Sequence, residues 1–158
     1  MPMSPPKPLR IDYVRRHFMS LTAQMNRQWR RVIDRQLEPL GLTEATWLPL
    51  LHLARAVQPM RQKDLAASLS LDGSSVVRLL DGLEAGRLVE RREGEDRRAK
   101  TIHLTPLGQT TVKHVEEVVG ACRDGVLACV PARELEQTFR VLEQLAEAVS
   151  SLEEERLA

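Results

Sequence analysis

Two clusters of polar and cationic side chains in this sequence could engage a partner. Ser74, Ser75 and Arg78 follow Asp72-Gly73 in the stretch LDGSSVVRLLDGLEAG. Helical spacing sets Ser74 and Arg78 one turn apart on a common face. Small residues stand where a backbone could approach a duplex, and one long donor lies beyond them. Readout of base edges in a major groove needs that combination. The plainer alternative is a capped helix start with one solvated arginine. Farther along, Arg91 and Arg92 precede the run GEDRRAK, which packs Asp96, Arg97, Arg98 and Lys100 into five positions. Arginines at a hairpin tip suit a narrow minor groove, where negative potential concentrates. Asp96 would brace one of them, and Arg91, Arg92 and Lys100 would contact phosphates, adding affinity without sequence preference. A charged turn can also be merely solvated, and Glu93 and Glu95 dilute this one.

Catalysis is not expected, because no nucleophile stands with a base and no phosphate loop is present. His17, His52, His103 and His114 are scattered without metal-ligand spacing, and no metal or cofactor is expected. Cys122 and Cys129, seven apart on one helical face, read as small apolar core side chains rather than a redox pair.

The elements that would position these groups follow from apolar periodicity. Ile11, Val14, Phe18, Leu21, Met25, Trp29, Val32, Ile33 and Leu37 recur at helical spacing, predicting a long first helix over 10–38 that stops at Pro39 and Gly41. Thr43 is the expected N-cap of a second helix reaching about Val57. A short helix over 62–69 and another that begins after Ser70-Leu71-Asp72 and runs to Ala85-Gly86 form a helix-turn-helix. In the second of these Val76, Val77, Leu79, Leu80 and Leu83 would face inward, leaving Gly73, Ser74, Ser75, Arg78, Asp81 and Gly82 mostly outward. Arg61 stands where a capping Ser or Thr would serve the short helix, so that start is expected to be frayed or water-capped. Residues 88–93 and KTIHL (100–104) predict a two-stranded hairpin. Thr105 then caps and Pro106 opens a helix reaching Cys129, and Pro131 starts a last helix striped by Leu135, Phe139, Leu142, Leu145, Val149 and Leu152. Long terminal helices cannot bury such stripes alone, which implies a two-fold homodimer built by the chain ends.

A chain of 158 residues with 42% hydrophobic and 28% charged content is an ordinary single globular domain. Its net charge of +1 hides an asymmetry: residues 1–60 hold nine basic and four acidic side chains, residues 101–158 five and ten. Any contact with a polyanion must therefore come from a local patch away from the C-terminal part. The start MPMSPPKPLR lacks the apolar run of a signal peptide and no 18-residue apolar stretch occurs, so a soluble cytoplasmic protein without membrane segments is expected.

Residues 62–108, QKDLAASLSLDGSSVVRLLDGLEAGRLVERREGEDRRAKTIHLTPLG, resemble the DNA-binding lobe of the MarR family, most specifically in Asp96-Arg97-Arg98, Leu104-Thr105 and Gly108. Upstream, Trp29, Ile33-Asp34, Leu37, Pro39-Leu40, Leu42-Thr43 and Trp47 are similar to its SlyA branch. The resemblance implies a mainly α fold with a small β-wing, a winged helix-turn-helix with N- and C-terminal helices for dimerisation. Residues 1–9 would be a flexible lead, 10–40 and 105–158 dimerisation helices, and 43–104 the DNA-binding lobe. It further implies a homodimeric transcription regulator on a palindromic operator, with Ser74 and Arg78 touching DNA. Arg27, Arg30, Trp47, Leu48, Leu51 and Arg78 would line a cleft for a small aromatic carboxylate such as salicylate. Leu51 replaces a histidine of the branch there, which leaves the ligand's identity open. The competing functions are a ligand-independent protein that displaces others from promoters, and a helical protein-interaction module.

Overall fold

A computed structural model describes residues 10–93 and 100–155. Helix α1 runs Ile11–Leu37 and closes through a single 3-10 turn, Glu38–Leu40, onto Gly41, whose φ of 69° is left-handed. Helix α2 (Glu44–Arg55) follows. Thr43 sits at its N-cap with an extended backbone, and its carbonyl takes the N–H groups of Thr46 and Trp47. Its hydroxyl does not cap the helix, and instead meets the Thr46 hydroxyl at 3.5 Å. Pro49 lies inside α2 and is fully buried.

Strand β1 (Met60–Arg61) was not foreseen in the sequence, and it turns the expected two-stranded wing into a three-stranded antiparallel sheet of order β1-β3-β2. Strands β2 (Val89–Glu93) and β3 (Lys100–Leu104) pair from Val89 with Leu104 to Glu93 with Lys100, and β1 adds Met60 opposite Ile102 and Arg61 opposite Thr101. Two residues are too short for a period-2 signal, which is why the pattern missed them. The same strand corrects the expectation of a frayed start for α3 (Gln62–Leu69). The Arg61 backbone is held in the sheet and its own N–H donates to Asp64 Oδ2 at 2.9 Å, while its side chain, which has no acceptor, caps none of the first-turn N–H groups.

Helix α4 (Gly73–Ala85) is joined to α3 and to β2 by two turns of one design. Ser70 takes φ 53°, and Leu71 N–H reaches back to Ala66 O at 2.9 Å; Arg87 takes φ 55°, and Leu88 N–H reaches Leu83 O at 2.9 Å. Each is the left-handed closure that favours glycine. Gly86, the apparent stop signal, keeps an ordinary φ of −75°, and the strained position falls one residue later on Arg87.

Helix α5 spans Pro106–Leu127, and α6 spans Ala132–Glu155. Thr105 caps α5 as expected: Gly108 N–H donates to its Oγ1 at 3.0 Å, while the hydroxyl itself donates to Arg87 O at 2.6 Å. Gly108 is required by close approach, since a Cβ there would lie 2.0 Å from Leu88 O. The core of this part gathers Ile33 and Leu37 of α1, Trp47, Leu50 and Leu51 of α2, Leu65 of α3, Val76, Leu80 and Leu83 of α4, Val89 and Ile102 of the sheet, and Val112 and Val115 of α5. Burial of these thirteen side chains at about 1.5–3 kcal/mol each is what holds the short elements together.

Packing divides the chain into residues 1–119 and 120–158. In the second unit α6 shows the expected stripe, with Leu135, Leu142 and Leu145 half-buried and Phe139, Val149 and Leu152 exposed. Cys129 is a correction: α5 ends at Leu127, so this cysteine lies in the exposed turn beyond it, its thiol donating to Val126 O, while Cys122 is half-buried. No helix among the described residues is long and apolar enough to cross a membrane.

Gly108→Ala should destabilise the fold by about 1–3 kcal/mol, because the added methyl meets backbone rather than a movable side chain. Thr105→Ala should cost about 1 kcal/mol through the lost cap. Urea unfolding followed by circular dichroism checks both; unchanged midpoints would mean that the α5 start is not fixed to Leu88.

Candidate nucleic-acid interface

The N-terminus of α4 is organised by one carboxylate. Asp72 Oδ1 accepts from Ser75 N–H at 2.8 Å and from the Ser74 hydroxyl at 2.6 Å, and Oδ2 accepts from the Ser75 hydroxyl at 2.7 Å. The hydroxyls of Ser74 and Ser75, followed by the Ser75 N–H, hold Asp72 far below the usual carboxylate range. The same contacts orient both serines. Sequence reading took Ser74 and Ser75 as contact residues, and the structure brings them together on this acid. The signal for Asp72 was present, since an Asp three residues ahead of the helix's first buried turn is a strong N-cap.

Arg78 is exposed one turn beyond Ser74, with no ion-pair partner among the described residues. Val77, expected inward, is 37% exposed instead. The buried side of α4 is set by Val76, Leu80 and Leu83, so a residue about 100° around from Val76 falls on the flank.

Arg91 joins β2 to the same helix. Its backbone N–H donates to Glu84 Oε1 at 3.0 Å, Nη1 to Glu84 Oε2 at 2.6 Å and Nη2 to Asp81 Oδ1 at 2.8 Å, and its side chain is 22% exposed. A guanidinium with two acids and little exposure is a brace between wing and helix. Arg92 pairs with Glu90 on its own strand, and Lys100 is exposed at the start of β3, opposite Glu93. Asp96, Arg97 and Arg98 lie outside the described residues.

The side chains read as an effector cleft fall in two places. Arg27, Arg30 and Arg31 border an open concavity of about 410 Å³ with Asn26 and Glu44, and Arg30 Nη1 donates to Glu44 Oε1 at 2.5 Å. Trp47 and Leu51 are core residues, each 3% exposed, and the Trp47 indole N–H donates to Asp34 Oδ1 at 2.9 Å. Leu48 is half-buried, and neither it nor Trp47, Leu51 or Arg78 borders the arginine concavity. Sequence spacing places residues on faces, and only packing decides how deep a face sits. His52, nearby on α2, has its pKa lowered by burial and then by the Arg55 and Arg30 cations.

A sequence model of the MarR family matches residues 40–99, from the turn after α1 to the residue before β3. The crystal structure of the transcriptional regulator PA3341 is 40% identical, with a TM-score of 0.80, over 85% of this chain and 98% of its own. A MarR-family transcriptional regulator from Rhodococcus sp. RHA1 is 25% identical, with a TM-score of 0.70, over 80% of this chain and 89% of its own. The fold is also that of MepR from S. aureus in its complex with DNA, which is 23% identical, with a TM-score of 0.73, over 82% of this chain and 94% of its own.

A folded-state pKa below the unfolded value means that the unfolded chain takes up the His52 proton first as pH falls. Stability is therefore lost as pH drops below about 6.5, the unfolded histidine value. Melting temperature against pH should fall less steeply between pH 7 and 5.5 for His52→Gln than for the unsubstituted chain; parallel curves would remove His52 from the acid sensitivity.

Proposed function

The chain belongs to the MarR family, and on that premise we propose that it is a transcription regulator that binds double-stranded DNA as a homodimer, laying α4 in the major groove of each half of a palindromic operator. The observation that carries this reading is the outward end of α4. A charged cap fixes Ser74 and Ser75, Arg78 projects without an ion-pair partner among the described residues, and Arg91 holds the wing against the helix. Half-sites would lie about one helical turn, roughly 34 Å, apart. Ser74, Ser75 and Arg78 approach bases, while Lys100, with Arg92 after release from Glu90, approaches phosphates. Arg97 and Arg98 enter the flanking minor groove with Asp96 as brace. Arg91 takes the structural part of tying β2 to α4. Such work places the protein in the cytoplasm, on the nucleoid when bound.

Homodimer formation is supported by apolar side chains left open in each unit. Ile11, Met19, Leu21, Met25 and Val32 are exposed on α1, and Phe139, Val149 and Leu152 on α6. A series of exposed large apolar residues on one helix marks a surface that a partner covers. Within the family, Trp29, Asp34 and Trp47 support a place in the SlyA-like branch.

A small aromatic carboxylate is the effector class we propose, and the concavity beside Arg27, Arg30 and Arg31 supports it. Three guanidiniums against the single carboxylate of Glu44 leave an excess of donors for an anion. Ligand binding there would act on α1 and the start of α2, and through them on the spacing of the two DNA-binding lobes.

Fluorescence anisotropy on the protein's own upstream DNA and on a scrambled duplex, at two salt concentrations, tests the reading. Tight, salt-dependent binding to the native fragment alone is expected, and equal weak binding to both would leave only a generic electrostatic contact. Arg78→Ala should cost about 1–3 kcal/mol and relax preference at one base pair; a uniform loss across all sequences would reduce Arg78 to a phosphate contact. Salicylate at millimolar concentration should release the operator from the unsubstituted protein and not from Arg27→Ala. Release that is equal in both would move the effector site elsewhere, and no release at all would favour a regulator that acts without a ligand.

A further inference from the structure

Along the outward arc of α4 most groups are already committed inside the chain. Gly73 and Gly82 have no side chain, and nothing lies within 4 Å of where a Cβ would stand on either. The hydroxyls of Ser74 and Ser75 both donate to Asp72, so what they turn outward is acceptor lone pairs. Asp81 accepts from Arg91. Among the described residues, the side chains from Gly73 to Gly82 left exposed and uncommitted are Val77 and Arg78. Val77 is 37% exposed, whereas its neighbour Val76 is fully buried.

A lone exposed valine is ordinary on a protein surface. On a helix that enters a major groove it is a reader, because one base edge there offers an apolar group, the 5-methyl of thymine. Adjacent residues advance only about 1.5 Å along a helix, but their side chains leave it about 100° apart. Two adjacent exposed residues therefore diverge and fall on different base pairs rather than on one. We infer that Val77 determines sequence specificity by packing its methyls on the 5-methyl group of a thymine in a base pair next to the one read by Arg78.

Gly73 lies one turn before Val77 on the same side of the helix. With no Cβ there, the backbone can approach the duplex without a side chain holding it off. A two-carbon branch such as valine reaches the groove floor only under that condition. Arg78 is long enough to reach from farther away. The assignment rests on the DNA-binding reading above, and its test separates the two.

The highest-affinity duplex selected from a random pool by the full-length protein supplies the probe. Deoxyuridine then replaces thymine one position at a time, symmetrically in both half-sites, which removes a methyl and leaves base pairing intact. Anisotropy titrations of the unsubstituted protein should show one position where affinity falls by about fourfold per half-site, the worth of one buried methyl. That position should adjoin the one whose preference is relaxed in Arg78→Ala. Val77→Ala should bind the thymine duplex about fourfold more weakly per half-site and be indifferent to deoxyuridine there, and Val77→Thr, which keeps a methyl, should retain the discrimination. Specific binding with no deoxyuridine-sensitive position, or a sensitivity that survives in Val77→Ala, would overturn the role of Val77 and leave the regulator reading standing. Failure of the pool to yield any preferred sequence would overturn both.

Discussion

Where α5 passes beneath the end of the α4–β2 turn there is no space for a β-carbon. The site is Gly108, and the atom that would collide is the carbonyl oxygen of Leu88. Three hydrogen bonds converge there: Thr105 N–H on Leu88 O, the Thr105 hydroxyl on Arg87 O, and Gly108 N–H on the Thr105 hydroxyl. One threonine thus closes the wing, starts α5 and ends the linker from α4. The direction in which β2 leaves α4 follows from this contact, and so does the distance over which Arg91 can reach Asp81 and Glu84. It acts together with the burial of Val89 and Ile102 and the ion pairs of Arg91 to hold the sheet in place, since two or three short strands have little stability of their own.

Charge on α4 is spent internally to a degree that its composition conceals. The helix and its cap hold three acids and one arginine, which alone would repel a polyanion. Asp72 is surrounded by hydroxyl and amide donors, and Asp81 and Glu84 are matched by Arg91 from the neighbouring strand. What remains directed outward is one cation, one pair of methyls and the lone pairs of two serines. A surface of this kind offers little indiscriminate electrostatic attraction and more selective contact, in keeping with a chain whose net charge is +1. In the sequence, further cations are concentrated at Arg97, Arg98 and Lys100.

Much of the architecture was legible before any coordinates. Apolar periodicity placed all six helices within a few residues of their ends, because each has a stripe that must be buried. The wing strands showed in their alternation, and Thr105-Pro106 gave the start of α5 correctly because both residues act locally, one through its hydroxyl and one through its fixed φ. Strand β1 escaped notice because two residues carry no period, and its existence depends on an edge that β3 provides from forty residues away. Arg61 looked like a poor helix start for the same reason: its partner, the Asp64 carboxylate, is local, but the strand that holds its backbone is not.

The sequence by itself determined which residues are chemically able to act: the small polar start of α4, the arginines, the glycines and the acids, and with them the class of fold. Tertiary structure decided which of these groups are still available. Arg91 and Arg78 are the same residue type on adjacent elements, yet one is folded between two carboxylates and the other is open to solvent. Trp47 and Leu51, expected as pocket walls from the family resemblance, lie in the core, and Val77, credible as core from its spacing, lies on the surface. The physical reason is that periodicity fixes only an angle around a helix axis, whereas burial and ion pairing depend on what another element, distant in the chain, places opposite that angle.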